Sequence, residues 1–210
     1  MSLDGLLSDS SHEAGGRVAG VAPATVSRND DPENRARVKL RLPWRGDDFE
    51  TDWVRIVAPM AGKDRGLFFL PEVGDEVLVA FDRDDIRYPY VLGALWSRTD
   101  SPPEANADGQ NDIRMIKTRK GHVVKFDDGA QGLILIELDD GKKIEIDGDG
   151  IRIDDGSNKV TLDARAGSVT VEAGQSLSLK APRITIEASM SLEIKGGQSH
   201  SANATMVRIN

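Results

Sequence analysis

The chain contains no cysteine, so disulfide frameworks, thiolate metal sites and thiol nucleophiles are all excluded. Histidine is nearly as scarce. His12, His122 and His200 lie far apart in sequence, which leaves little raw material for ordinary acid–base catalysis. Nor is there an excess of basic charge: 27 Lys and Arg stand against 35 Asp and Glu, a formal net charge of -8, which argues against a chain built to hold phosphate backbones. No apolar run approaches the roughly eighteen residues that cross a bilayer. The opening MSLDGLLSDSSHEAGG lacks the basic start and apolar core of a secretion signal. What is present, 39% hydrophobic and 30% charged over 210 residues, suffices for one large folded domain or two small ones. The composition leans towards a structural or binding role.

Aromatics and prolines are distributed unevenly. Nine of the ten aromatic residues fall between Trp44 and Trp96, with Phe126 alone outside, and Pro182 is the only proline after Pro103. The first half therefore has large anchors around which a compact core can close, and the second half has only aliphatic and small residues. Residues 1–16 read as a flexible or partner-ordered arm. From Val18 to Trp96 short strands follow one another. Arg37 to Leu42 alternates charge and aliphatic, Asp52 to Val57 is a second strand, and Leu67 to Leu70 reads as a short apolar one. Asp75 to Phe81 and Tyr90 to Trp96 close the set. Short strands without a helical period indicate a small barrel or sandwich. Ser97 to Asn111 is a linker, and Ile113–Lys117 with His122–Phe126 reads as a hairpin beginning a second region.

From Leu133 onward an aliphatic–polar–aliphatic unit recurs. Its pairs are Ile144/Ile146, Ile151/Ile153, Val160/Leu162, Val169/Val171, Leu177/Leu179, Ile184/Ile186, Leu192/Ile194 and Val207/Ile209, with starts 7, 9, 9, 8, 7, 8 and 15 residues apart. Gly or Asp-Gly marks most of the turns between them. A fixed short period with one apolar face per strand is a repetitive β architecture. One chain supplies only a narrow apolar ribbon, about a third of a solenoid coil per unit. Three chains wound together would close a prism around a shared aliphatic core made of those sixteen positions. Nine or so strands stacked at about 4.8 Å give a rod on the order of 40 Å long. Burying each aliphatic contributes about 1.5–3 kcal/mol, which makes such a trimer obligate.

The segments ATVSRNDDPENRARVKLRLPW (24–44), DWVRIV (52–57), PEVGDEVLVAF (71–81), YPYVLGALW (88–96) and NDIRMIKTRKGHVVKFDD (111–128) resemble, in this order, the central spike proteins of contractile injection machines. That family includes phage baseplate protein V, the tail-lysozyme spike and the VgrG proteins of type VI secretion. The resemblance covers residues 18–128 by motif and 129–210 by repeat character. It implies an all-β chain: an arm at 1–16, an oligonucleotide/oligosaccharide-binding (OB) type barrel at 17–97, a linker at 98–111, and a trimeric intertwined β-helix at 112–210. It implies a homotrimeric spike at the tip of a phage tail, tailocin or extracellular injection tube that punctures a target cell envelope. The place is a virion or particle baseplate assembled in the bacterial cytoplasm. A large hub domain like that of VgrG chains does not fit in this length, so a separate hub protein is expected on the N-terminal side. The ending MVRIN fits a PAAR-type tip protein at the C-terminal end. The fifteen-residue interval 97–111 has no room for an inserted muramidase.

Candidate sites each have a plainer reading. The acidic stretch Asp139–Gly156 fails the spacing of an EF-hand and is turn chemistry on the residues themselves. His200 stands alone; three copies around a threefold axis would meet on a metal or an anion, and a single one is an ordinary surface residue. Arg35, Arg37, Lys39 and Arg41 share a strand face without stacking aromatics, which speaks against nucleic acid. Asp47/Asp48/Glu50 and Asp82/Asp84/Asp85 are acid clusters without an evident base, so no enzyme activity and no cofactor are expected. Trp44, Trp53 and Trp96 read as core or trimer-contact residues. The alternative is a glycan-binding adhesin or cargo-carrier rod, against which the absence of aromatics from 129–210 counts.

Overall fold

The computed structural model describes residues 16–46 and 49–208. The chain divides into two compact units, Met1–Ala105 and Asn106–Asn210. Among the described residues every extended element is a β-strand and the only helical turns are short 3-10 segments at 43–45 and 82–84, so no helix is long and apolar enough to cross a membrane. The all-β class read from the sequence holds. The arm expected at residues 1–16 lies, apart from Gly16, outside the described residues.

In the first unit, β1 (Val21–Arg28), β2 (Lys39–Arg41), β3 (Arg55–Ile56), β6 (Glu76–Phe81) and β7 (Pro89–Leu95) form one sheet in the order β2-β1-β6-β7-β3. A bridge between Val38 and Val54 brings the β3 end back to β2, so the sheet closes on itself. Every pairing is antiparallel except β3 with β7, where Arg55 lies opposite Tyr90. This is the OB-type barrel. Its interior comes from simple alternation: Val38, Leu40 and Leu42 point inwards from the RVKLRL run, and Val77, Val79 and Phe81 from EVLVAF. Ala24, Val26, Val54, Ile86 and Val91 complete the core.

Two expectations need correction here. Leu67–Leu70 is not a strand. The chain instead makes a two-residue hairpin, β4 (Ala61–Gly62) with β5 (Arg65–Gly66), and Leu67–Leu70 leaves it as irregular backbone with Phe68 74% and Phe69 65% exposed. Four consecutive apolar residues look like a buried strand to a pattern, yet only Leu70 reaches the core. Of the two roles expected of the tryptophans, core and trimer contact, the core one does not hold. Trp44 is half-exposed, with its indole N–H donating to the Pro23 carbonyl at 3.2 Å; Trp53 lies under Arg28 and Lys39; Trp96 is 71% exposed. Apart from Phe81 the buried core is aliphatic.

The loop between β1 and β2 is organised by one carboxylate. Asp31, whose side chain is 2% exposed, accepts the backbone N–H groups of Glu33, Arg35 and Arg37 and a two-pronged contact from the Arg37 guanidinium, both arms at 2.8 Å. The Arg37 side chain, with those N–H donors, holds the Asp31 carboxyl far below the usual carboxylate range despite its desolvation. A folded-state pKa lowered in this way contributes stability that is full above the unfolded value of about 4 and is lost as the pH falls below it. Asp31→Asn should therefore lower the melting temperature of the barrel by several degrees at neutral pH and flatten its decline between pH 5 and pH 2. Tryptophan fluorescence reads this cleanly, because all three tryptophans lie in the barrel unit.

The second unit is a meander of seven antiparallel strands in sequence order: β8 (Ile113–Lys117), β9 (Val123–Asp127), β10 (Leu133–Glu137), β11 (Lys143–Asp147), β12 (Gly150–Asp154), β13 (Lys159–Asp163) and β14 (Ser168–Glu172). Each is five residues long and the register has no bulge. This part is a sheet paired within one chain, where the sequence reading expected chains intertwined from residue 112. Beyond Glu172 no further strand occurs among the described residues, so the repeats at Leu177/Leu179, Ile184/Ile186, Leu192/Ile194 and Val207 are not paired within the chain.

Candidate functional site

The register of the meander decides which side chains share a face. Ile144 lies opposite Ile153 and Ile136, Ile146 opposite Ile151 and Ile134, Val160 opposite Ile153 and Val171, and Leu162 opposite Ile151 and Val169. Directly opposed residues in an antiparallel pair point to the same side. The ladder continues through Phe126, opposite Ile134, and Val124, opposite Ile136, to Ile116. Thirteen apolar side chains thus cover one side of the sheet almost without interruption.

The other side carries Ile113, Met115, Val123, Leu133 and Leu135 over β8–β10, while over β11–β14 it is polar and its charges are paired. Glu145 lies opposite Arg152 and accepts from its guanidinium at 2.6 Å, while Lys143 donates to the same carboxylate at 2.8 Å. Arg152 also reaches Asp147, Lys159 pairs with Asp154 at 3.3 Å, and Lys125 with Asp127 at 3.5 Å. The ammonium of Lys143 first, and then the guanidinium of Arg152, lowers the Glu145 carboxyl below its ordinary range, and the two carboxylates raise Arg152. Thr161 and Thr170 lie opposite one another on this side.

Burial is inverted relative to what a self-sufficient sheet requires. The Glu145 and Asp147 side chains are 18% exposed, whereas Ile146 is 40% and Val169 70% exposed. A contiguous apolar ladder of this kind is an association surface by its physics.

The turns hold the ladder in step. Asp147 accepts the N–H groups of Asp149 and Gly150, and Asp155 those of Ser157 and Asn158; these backbone and amide contacts, led by the Asn158 side chain, pull the Asp155 carboxyl down to about 2. The acidic stretch 139–156 therefore does turn work, as its Asp-Gly pairs indicate. Gly150 adopts φ +150°, and a Cβ there would lie 1.9 Å from the Leu162 carbonyl oxygen, so no other residue lets β12 approach β13 this closely.

Of the sixteen positions expected to form a core, eight are brought together on this face: Ile144, Ile146, Ile151, Ile153, Val160, Leu162, Val169 and Val171. Leu177, Leu179, Ile184, Ile186, Leu192, Ile194 and Val207 are exposed and lie outside the sheet, and Ile209 lies outside the described residues. Five members escaped the sequence reading: Ile116, Val124, Phe126, Ile134 and Ile136. In LILIE both alternating sets are aliphatic, so period alone does not choose between Leu133/Leu135 and Ile134/Ile136; only the register with Ile144 and Ile146 does.

The remaining candidates serve the fold or stand apart. Asp85 holds Arg87 at 2.6 Å, and that guanidinium brings its carboxyl down to about 2. Glu50 accepts from Ser27 at 2.7 Å and from Lys39 at 3.2 Å, and Asp47 and Asp48 lie outside the described residues. His200 is exposed, and no group of three or more His, Asp or Glu capable of holding a metal occurs among the described residues. Lys39 is tied to Glu50 and Arg37 to Asp31, so two of the four strand basics are engaged within the barrel.

Comparison with known proteins matches both units. Residues 22–96 match the Type VI secretion system/phage-baseplate injector OB domain, and residues 113–190 match the phage baseplate V C-terminal trimerisation domain. Among curated proteins, the chain is 38% identical over 76 residues to the type VI secretion system spike protein VgrG2a of Pseudomonas aeruginosa, covering 34% of this chain and 9% of that one. It is 29% identical over 106 residues to the spike protein VgrG3 of Vibrio cholerae, covering 47% and 10%. It is 30% identical over 129 residues to VgrG4b of Pseudomonas aeruginosa, covering 50% and 16%. The matched region spans no more than about a sixth of the length of these relatives.

Proposed function

We propose a mechanical role for this chain on one premise: it belongs to the phage baseplate V and VgrG-like spike proteins, whose injector OB domain and trimerisation domain it carries in that order. Three copies associate through the aliphatic ladder. The inverted burial of the meander carries this reading, because a face left 40–70% exposed at Ile146 and Val169 is stable only when other chains cover it. Threefold association puts three ladders around one axis and leaves the paired charges of Glu145, Arg152 and Lys143 facing water. The repeats after Glu172 find their strand partners in neighbouring chains, which accounts for their lack of pairing within one chain.

The assembly acts by stiffness. Backbone hydrogen bonds run from strand to strand along the whole meander, so a load along the stack compresses a continuous ladder. We assign it the puncturing of a target envelope when a contractile sheath fires, without turnover and without a cofactor. The barrel is the part presented to a baseplate hub protein, and the far end of the repeat region is the part presented to a PAAR-type tip or effector. The particle's baseplate is its place of action. Light scattering on the native protein, with an unheated denaturing gel beside it, tests the core of the reading. A detergent-resistant species of three chain masses is expected; a clean monomer overturns it.

A further inference from the structure

The barrel unit carries a second uncovered apolar feature. Around the β4–β5 hairpin a cleft is lined by Met60, Leu67, Phe68 and Phe69, with the arginines Arg35, Arg55 and Arg65 at its walls. Phe68 and Phe69 are the most exposed phenylalanines of the chain. Of the three cations, Arg35 is paired with Glu33 at 3.1 Å; Arg55 donates to the Tyr90 hydroxyl at 2.7 Å, and neither it nor Arg65 has an ion pair among the described residues. Among the described residues Asp64 is the single acidic one lining the cleft. The site is thus apolar with net positive charge, in a chain whose overall charge is -8.

We propose that this cleft is the docking site of the chain's own residues 1–15. That segment, MSLDGLLSDSSHEAG, contains Leu3, Leu6 and Leu7 for the apolar floor, the acids Asp4, Asp9 and Glu13 for the arginines, and no Lys or Arg. Its point of departure is fixed on the barrel, since the Gly16 carbonyl accepts the Ile86 N–H at 2.8 Å and Arg17 bridges Asp85. Fifteen residues extend to about 50 Å, several times the radius of gyration of about 12 Å for a unit of this size, so every face of the barrel is within reach. Tethering supplies an effective concentration on the order of millimolar, enough for a small apolar contact to form. A second copy is the poorer occupant, because face-to-face pairing would set the arginines of one cleft against those of the other. The inference does not depend on how many chains assemble.

The chain's lack of cysteine makes the test direct. A nitroxide attached to Leu6→Cys in the full-length protein should strip most of the intensity from the methyl signals of Met60, Leu67 and Leu70 and leave those of Val38 and Val79, inside the barrel, far less affected. Reversing the walls with Arg55→Glu and Arg65→Glu should return the cleft signals about tenfold in intensity ratio, and adding Asp4→Lys with Asp9→Lys should broaden them again. Cleft signals at full strength beside the label overturn the proposal, as does broadening indifferent to the charge reversals. Broadening transmitted instead from a label on Phe68→Cys of a separately prepared chain would assign the cleft to a second copy, and the proposal falls.

Discussion

Ile153→Asp and Val171→Asp abolish trimer formation, while Thr161→Asp and Thr170→Asp leave it intact: this is the largest effect expected of any single substitution. In one chain all four positions are accessible at least in part, Ile153 at 45% and Val171 at 50% exposure, Thr170 exposed and Thr161 half-buried, so a protein that worked alone would tolerate each change. In the assembly the two pairs part. Ile153 and Val171 are on the ladder that three chains close over, and threefold symmetry places three carboxylates in the same dry layer. Each costs several kcal/mol when buried without a partner, and like charges across the axis add to it. Thr161 and Thr170 lie on the charged side, where an aspartate joins an existing field of paired ions. Sedimentation or light scattering at micromolar concentration separates the outcomes. Equal behaviour of the two pairs would mean that the apolar side is not the shared one.

Leu40→Ala should unfold the barrel selectively. Leu40 is fully buried at the middle of β2, its N–H held by the Thr51 hydroxyl at 3.0 Å, and it packs with Val26, Val79 and Val91 in a core without large aromatic side chains at its centre. Removing three methyl-equivalent groups from such a site costs about 2–5 kcal/mol, a large share of the stability of a domain this small. Tryptophan fluorescence should show the barrel transition shifted down by tens of degrees at the upper end of that range. The trimer band on an unheated gel should persist, because the meander lies in the other compact unit. Joint loss of both signals would show that the barrel is needed for assembly.

Both predictions depend on features that the sequence displayed to different degrees. Wherever one side of a strand is buried and the other wet, alternation was sufficient: RVKLRL and EVLVAF were legible as half-buried strands, and the pairs from Ile144 to Val171 as one apolar side. Where both sides are apolar, period two carries no information, which is why Ile134 and Ile136 were not separated from Leu133 and Leu135. Where an apolar run serves a surface, hydrophobicity misleads, as Leu67–Leu70 demonstrates. Asp31 was hidden for another reason. Its partners are mostly backbone N–H groups of a loop, and a loop's geometry leaves no periodic trace. The strand pairing within one chain up to Glu172 was not legible either, since a ribbon of short strands reads alike whether its neighbour is the same chain or another.

The connectivity of the two units sets their order of folding. Every strand of the meander pairs with the one made just before it, so each hairpin closes a loop of a few residues and the sheet can grow as fast as chain becomes available. The barrel has no such option. Its β1 can pair early with β2, but it must wait for β6, Val21 meeting Ala80, and β3 waits for β7, so the sheet does not close until nearly the whole unit exists. On a ribosome the barrel therefore gathers slowly while the later residues are still being added, and the meander, made after it, completes almost at once. Once formed, its open apolar side must find two other chains before it finds anything else, and the polysome, where sister chains emerge side by side, is the place where that search is shortest.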